Sequence, residues 1–136
     1  MVIWEKGALV SFNTGINIPP QGTQTVSGTC TIPAGAKFFL MSTHTHKFAT
    51  LAQVRKSSAT GQELVRTEDW EHPSVGQWSA PNFLTFAATE RLYYSCTYQN
   101  PTNAAVRVGT SAATNEMCMA IGYYFPAANI GRCTGF

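Results

Sequence analysis

Apolar and polar residues alternate with a period of two along most of the chain, so strands are the expected elements. Residues 24–32 place Val26, Cys30 and Ile32 on one face and Thr25, Thr29 and Thr31 on the other. After a Pro-Ala-Gly turn at 33–35, residues 37–46 continue extended. Phe38 and Leu40 are expected there on the face that later carries His44 and His46. Residues 51–55 and 63–67 read as a strand pair around a turn at 57–61. Residues 91–99 set Leu92, Tyr94, Cys96 and Tyr98 on one face. Residues 116–125 set Met117, Met119, Ile121 and Tyr123 on one face and Cys118, Ala120, Gly122 and Tyr124 on the other. Pro and Gly punctuate these runs at 19–22, 33–35, 73–76, 81, 101 and 126. The polar segment 68–81, with Trp70 and Trp78, reads as a long loop. No stretch of ten or more residues has helical periodicity. Many short strands without helices predict an all-β sandwich, jelly roll or barrel.

The chain's 136 residues, with no repeat and no linker, fit one domain over 1–136. Hydrophobic residues make up 44%, enough for an ordinary core. Charged residues make up only 12%, against roughly 25% in typical soluble domains. The net charge of +2 is spread singly, which is no footprint for nucleic acid or an anionic membrane surface. No apolar run is long enough for a membrane-spanning helix. The low-charge, Thr-rich balance points to an extracytoplasmic protein. The N-terminal residues lack a basic start, and Glu5 and Lys6 interrupt the apolar run, so they do not read as a secretory signal. A mature or excised segment behind an added Met is therefore expected. Cys30, Cys96, Cys118 and Cys133 form no Cys-x-x-Cys pair. In this composition they read as two disulfides with three connectivities open, against four buried free thiols in a cytosolic chain.

Chemistry concentrates at His44-Thr-His46. Residues two apart on a strand share a face about 6.6 Å apart along the chain, so two imidazoles can converge on one metal ion. Carboxylates are scarce and Asp69 is the only aspartate. Thioethers are at hand in Met41, Met117 and Met119. Imidazole with thioether selects copper, Cu(I) above all. His72, in the aromatic-flanked loop, is a candidate near the metal without being an obligatory ligand.

The ordered set Thr43-His-Thr-His46, Cys96-Thr-Tyr98, Gly109-Thr-Ser111, Asn115-Glu-Met-Cys118 and Tyr123-Tyr124 resembles the C-terminal domain of copper type II, ascorbate-dependent monooxygenases. Peptidylglycine α-hydroxylating monooxygenase and dopamine β-hydroxylase belong to that family. The resemblance covers essentially the whole chain and implies an antiparallel β jelly roll. It implies one copper ion on His44, His46 and Met117, with disulfides Cys96–Cys118 and Cys30–Cys133. It further implies C–H hydroxylation with dioxygen on a small-molecule or peptide substrate. Ascorbate would be the reductant and a separate electron-donating copper domain the partner. Three histidines in this chain leave no second set to build that domain.

Departures from the family pattern bear on the substrate. The peptide-amidating member has an Arg where this chain has Ser42, and an Asn and a Tyr where it has Met119 and Ile121. The loop at 68–73 resembles bacterial relatives more than the animal enzymes. A non-catalytic copper protein for sensing, storage or delivery is the alternative on the same three ligands. A cupin-type site also begins at His-x-His, but residues 47–51 offer no carboxylate. A Ser hydrolase lacks its Gly-x-Ser-x-Gly elbow.

Overall fold

A computed structural model describes residues 5–126 in full and residues 131–135 by their backbone. Among these residues every regular element longer than a turn is a strand. The strands are β1 (Gly7–Asn13), β2 (Asn17–Ile18), β3 (Thr23–Thr31), β4 (Lys37–Thr45), β5 (Ala49–Lys56), β6 (Glu63–Thr67), β7 (Val75–Gln77), β8 (Arg91–Gln99), β9 (Val106–Arg107), β10 (Cys118–Phe125) and β11 (Gly131–Gly135). A five-stranded sheet runs β11-β1-β10-β4-β7 and a four-stranded sheet runs β3-β8-β5-β6. β2 and β9 form a separate two-stranded ribbon. Strand pairs are antiparallel with one exception: β1 and β11 run parallel.

The alternation read from the sequence decides which faces meet. On β8, Leu92, Tyr94, Cys96 and Tyr98 are buried, as expected for the inner face of the smaller sheet. On β10, Cys118, Ala120 and Tyr124 are buried, while Met119, Ile121 and Tyr123 lie on the outer face. Phe38 fills the gap between the sheets, its ring 5.3 Å from Tyr124 and 5.6 Å from Phe86. Full burial of such a ring contributes about 2–3 kcal/mol. The ring lies so close over Gly122 that a Cβ there would meet it at 2.8 Å.

Phe38 also corrects the expected facing. The β4–β10 register shifts between Tyr123 and Tyr124, so Leu40 pairs with Tyr123 but Phe38 pairs with Tyr124. The extra residue, Phe39, is a bulge, and a bulge exchanges the faces on its two sides. Phe38 therefore faces the core and does not share a face with His44. The expected loop at 68–81 is likewise interrupted: Val75–Gln77 adds to β4 as an edge strand.

Of the two expected disulfides, Cys96–Cys118 is present and ties β8 to β10 across the sandwich. Cys30 is buried on β3 and is disulfide-bonded. The expected Cys30–Cys133 pairing falls outside the described residues, because the side chain of Cys133 is not among them. No described cysteine is a free thiol.

Candidate metal centre

The end of β4 and the start of β10 lie side by side and carry the candidate ligands. Cys118 is paired with Thr45, and Met119 with His44. Met117 and His46 are the next residues beyond the ladder's last pair, Cys118 and Thr45. Thr43 and Thr45 are buried, while His44 is exposed on the outer face. His46 follows directly on β4 and is only 4% exposed. The two rings are 5.3 Å apart and nearly perpendicular.

Hydrogen bonding fixes which atom His46 offers. Its Nδ1 lies 2.9 Å from the Asn115 carbonyl oxygen. A carbonyl only accepts, so Nδ1 carries the proton and Nε2 keeps its lone pair for a metal. For His44, partial burial and then the neighbouring His46 hold the pKa below the ordinary histidine value. A neutral imidazole, the form that ligates, thus persists to lower pH.

Glu116 organises the backbone around the pair. Its carboxylate is fully buried. Oε1 accepts the His46 N–H at 2.8 Å and the Met117 N–H at 3.3 Å, and Oε2 accepts the Phe48 N–H at 2.7 Å. Burial pushes this carboxyl above the usual carboxylate range, against the pull of those donors. Tyr98, also fully buried, donates its hydroxyl to the Met117 carbonyl at 2.7 Å. Burial, and then the charge of Glu116, raise the phenol's pKa far above the ordinary tyrosine value. Met117 is thus held by Glu116 at its N–H, by Tyr98 at its carbonyl and by the Cys96–Cys118 bridge one residue on.

Among the described residues no three His, Cys, Asp or Glu side chains come together as a metal cluster. The thioether residues Met117, just before β10, and Met119, on it, are the soft-donor residues beside the histidine pair. Met41 does not join them: it is 1% exposed and packs in the core. The donor set of two imidazoles with thioether fits copper.

The loop bearing His72 closes at the same end of the sheet. It leaves β6 at Thr67 and reaches Val75, which pairs with Ser42. Thr67 anchors it by accepting hydrogen bonds from the Thr43 hydroxyl at 2.8 Å and the Ser74 N–H at 3.0 Å. The His72 side chain is 82% exposed, and its Nδ1–H donates to Asp69 Oδ2 at 2.9 Å. That hydrogen bond, then the Asp69 charge, raise the His72 pKa. Asp69→Asn should return the His72 titration, followed by NMR, toward the ordinary value of about 6.5. An unmoved midpoint would show that the pair does not persist in solution.

Two contributors escape a reading of residue types, and a third does not. The partner of His46 Nδ1 is the backbone carbonyl of Asn115, which no side chain advertises. Glu116 acts through backbone N–H groups, and its only signal is a carboxylate placed just before a strand in a charge-poor chain. Tyr98 was legible as a buried ring, and a buried phenol needs a partner.

Residues 5–135 match the family described as copper type II ascorbate-dependent monooxygenase, C-terminal domain. A search among curated proteins found no match.

Proposed function

The chain belongs to the C-terminal-domain family of copper type II ascorbate-dependent monooxygenases, and from that premise we propose that it is a jelly-roll domain holding one copper ion on His44, His46 and Met117. The observation that carries the proposal is the His46 tautomer: Nδ1 is occupied by the Asn115 carbonyl, so Nε2 is left as the donor beside His44. Copper supplies one-electron redox chemistry, reducible by ascorbate, with which the family hydroxylates C–H bonds using dioxygen.

The chain's own residues orient and hold. Glu116 fixes the His46 and Met117 backbones together, and Tyr98 with the Cys96–Cys118 bridge holds Met117 on its strand. His72 lies in the loop at the mouth of the site and is not a required ligand. Position 42 offers no Arg to grip a substrate carboxylate. Ser42 donates its hydroxyl to the Ser74 carbonyl at 2.9 Å, and its ladder neighbours are Ile121 and Val75. Full turnover calls for an electron-donating copper domain as partner, and the setting is extracytoplasmic. Among the described residues no helix is long and apolar enough to cross a membrane.

Metal analysis with EPR before and after ascorbate tests the reading. One copper per chain is expected, with a Cu(II) signal that ascorbate removes. His44→Ala with His46→Ala should abolish stoichiometric binding. Met117→Leu should spare Cu(II) and weaken Cu(I), since thioether is a soft ligand. Stoichiometric copper in the double histidine variant would overturn the proposal.

A further inference from the structure

We propose that Met119 is a second thioether donor to the copper, making the reduced site one of two imidazoles and two thioethers. The inference rests on the copper reading above and goes beyond the three-ligand set.

The argument is one of register. Met119 is the direct cross-strand partner of His44. Met117 and His46 directly follow the ladder's last pair, Cys118 and Thr45. Continued by one step, that pairing would set the four donors at the corners of one rectangle on neighbouring antiparallel segments. Its sides are about 4.8 Å across the strands and about 6.6 Å along them. Each methionine is opposite one histidine and diagonal to the other, and diagonal neighbours still lie about 7–8 Å apart, within reach of long side chains. If Met117 can share a metal with His44 across the diagonal, Met119 can share one with His44 directly opposite. Backbone placement treats the two thioethers alike.

The surroundings of Met119 favour the ligand role. Cys118 faces inward to its disulfide, so Met119 faces outward on the side that carries His44. On the far side of Met119 its ladder partner is Phe12, which has no donor atom. Met119 is half-buried, and its unbranched side chain can swing its sulfur without disturbing a packed core. Phe12, Met119 and His44 form one cross-strand row, and the next row, Val10, Ile121 and Ser42, carries no imidazole or carboxylate. The thioether is thus the nearest additional soft donor on that face. A second thioether favours Cu(I) over Cu(II), so Met119 would hold the site in its reduced form.

The test is Met119→Leu, close in volume and at a half-buried position, so the fold should tolerate it. Cu(I) affinity is read by competition with a chromophoric Cu(I) chelator, and sulfur ligation of wild-type Cu(I) protein by X-ray absorption. The expected results are two sulfur neighbours in the wild type and one in Met119→Leu. Cu(I) affinity should fall about tenfold, with the Cu(II) EPR signal unchanged. Met117→Leu/Met119→Leu should lose more Cu(I) affinity than either single change. One sulfur in the wild type, with Cu(I) affinity untouched by Met119→Leu but lowered by Met117→Leu, would overturn the inference and leave Met119 as packing against Phe12. That outcome leaves the copper reading standing. Failure of the copper reading shows differently, as copper retained in His44→Ala/His46→Ala.

Discussion

Replacing Glu116 by Ala should destabilise the protein by about 3–5 kcal/mol, the largest single-residue effect expected here. Three buried or half-buried N–H groups, of His46, Phe48 and Met117, would lose their acceptor at once. Leaving a buried donor unsatisfied costs about 1–3 kcal/mol each. Relief from burying a carboxylate offsets part of that sum, because burial already pushes this group's pKa upward. Glu116→Gln keeps the volume and one carbonyl oxygen, but its amide nitrogen would face an N–H donor, so a loss of about 1–3 kcal/mol follows. Urea unfolding measured across wild type, Gln and Ala gives the order. A loss for Ala below about 1 kcal/mol would mean that the three donors find water and that the clamp contributes little. Copper binding separates the two roles of the residue: the clamp also sets where the His46 ring sits, so Glu116→Gln should weaken copper binding even under conditions where the protein is fully folded.

The clamp marks where sequence reading stops. Residues 91–99 read correctly as a strand because Leu92, Tyr94, Cys96 and Tyr98 fall at every second position, and the period alone sets their facing. The pair at 51–55 and 63–67 read correctly for the same reason, helped by the turn between them. Val75–Gln77 was hidden: three residues with Gly76 at the centre show no period, and only the unpaired edge of β4 makes them a strand. Gly7–Asn13 begins with Gly and Ala and alternates weakly, so β1 also went unread. The bulge at Phe39 moved Phe38 to the core, since a one-residue irregularity leaves no trace in a hydrophobic pattern. At the candidate site the side-chain donors were legible from type and spacing. The Asn115 carbonyl and the N–H partners of Glu116 were not, because every residue type has a backbone. Family membership supplied the choice of Met117, which the register by itself does not distinguish from Met119.

Removing the Cys96–Cys118 bridge should cost about 3 kcal/mol by the chain-entropy account, since it closes a loop of sequence separation 22. The local consequence is the more informative one. The bridge crosses from β8 in one sheet to β10 in the other, and Cys118 is the residue between Met117 and Met119. Without it Met117, just before β10, keeps the Tyr98 hydroxyl on its carbonyl and the Glu116 bond to its N–H. Those are two hydrogen bonds, each worth about 1 kcal/mol net. Cys96→Ala/Cys118→Ala should therefore fold in the absence of denaturant, with a lowered urea midpoint. It should lose Cu(I) affinity more than Cu(II) affinity, because the thioethers are carried by the segment that the bridge pins while the imidazoles come from β4 and the residue directly after it. Adding Tyr98→Phe removes one of the two remaining holds, and the Cu(I) loss should deepen by more than the same change produces in the intact protein. The non-additivity is the diagnostic, because two groups that hold one residue are coupled and independent ones are not. Equal losses of Cu(I) and Cu(II) in the bridge variant would show that the whole site, and not the methionine strand, had loosened. Unchanged Cu(I) affinity would show that the strand end keeps its place without the disulfide, leaving the bridge a contributor to stability alone.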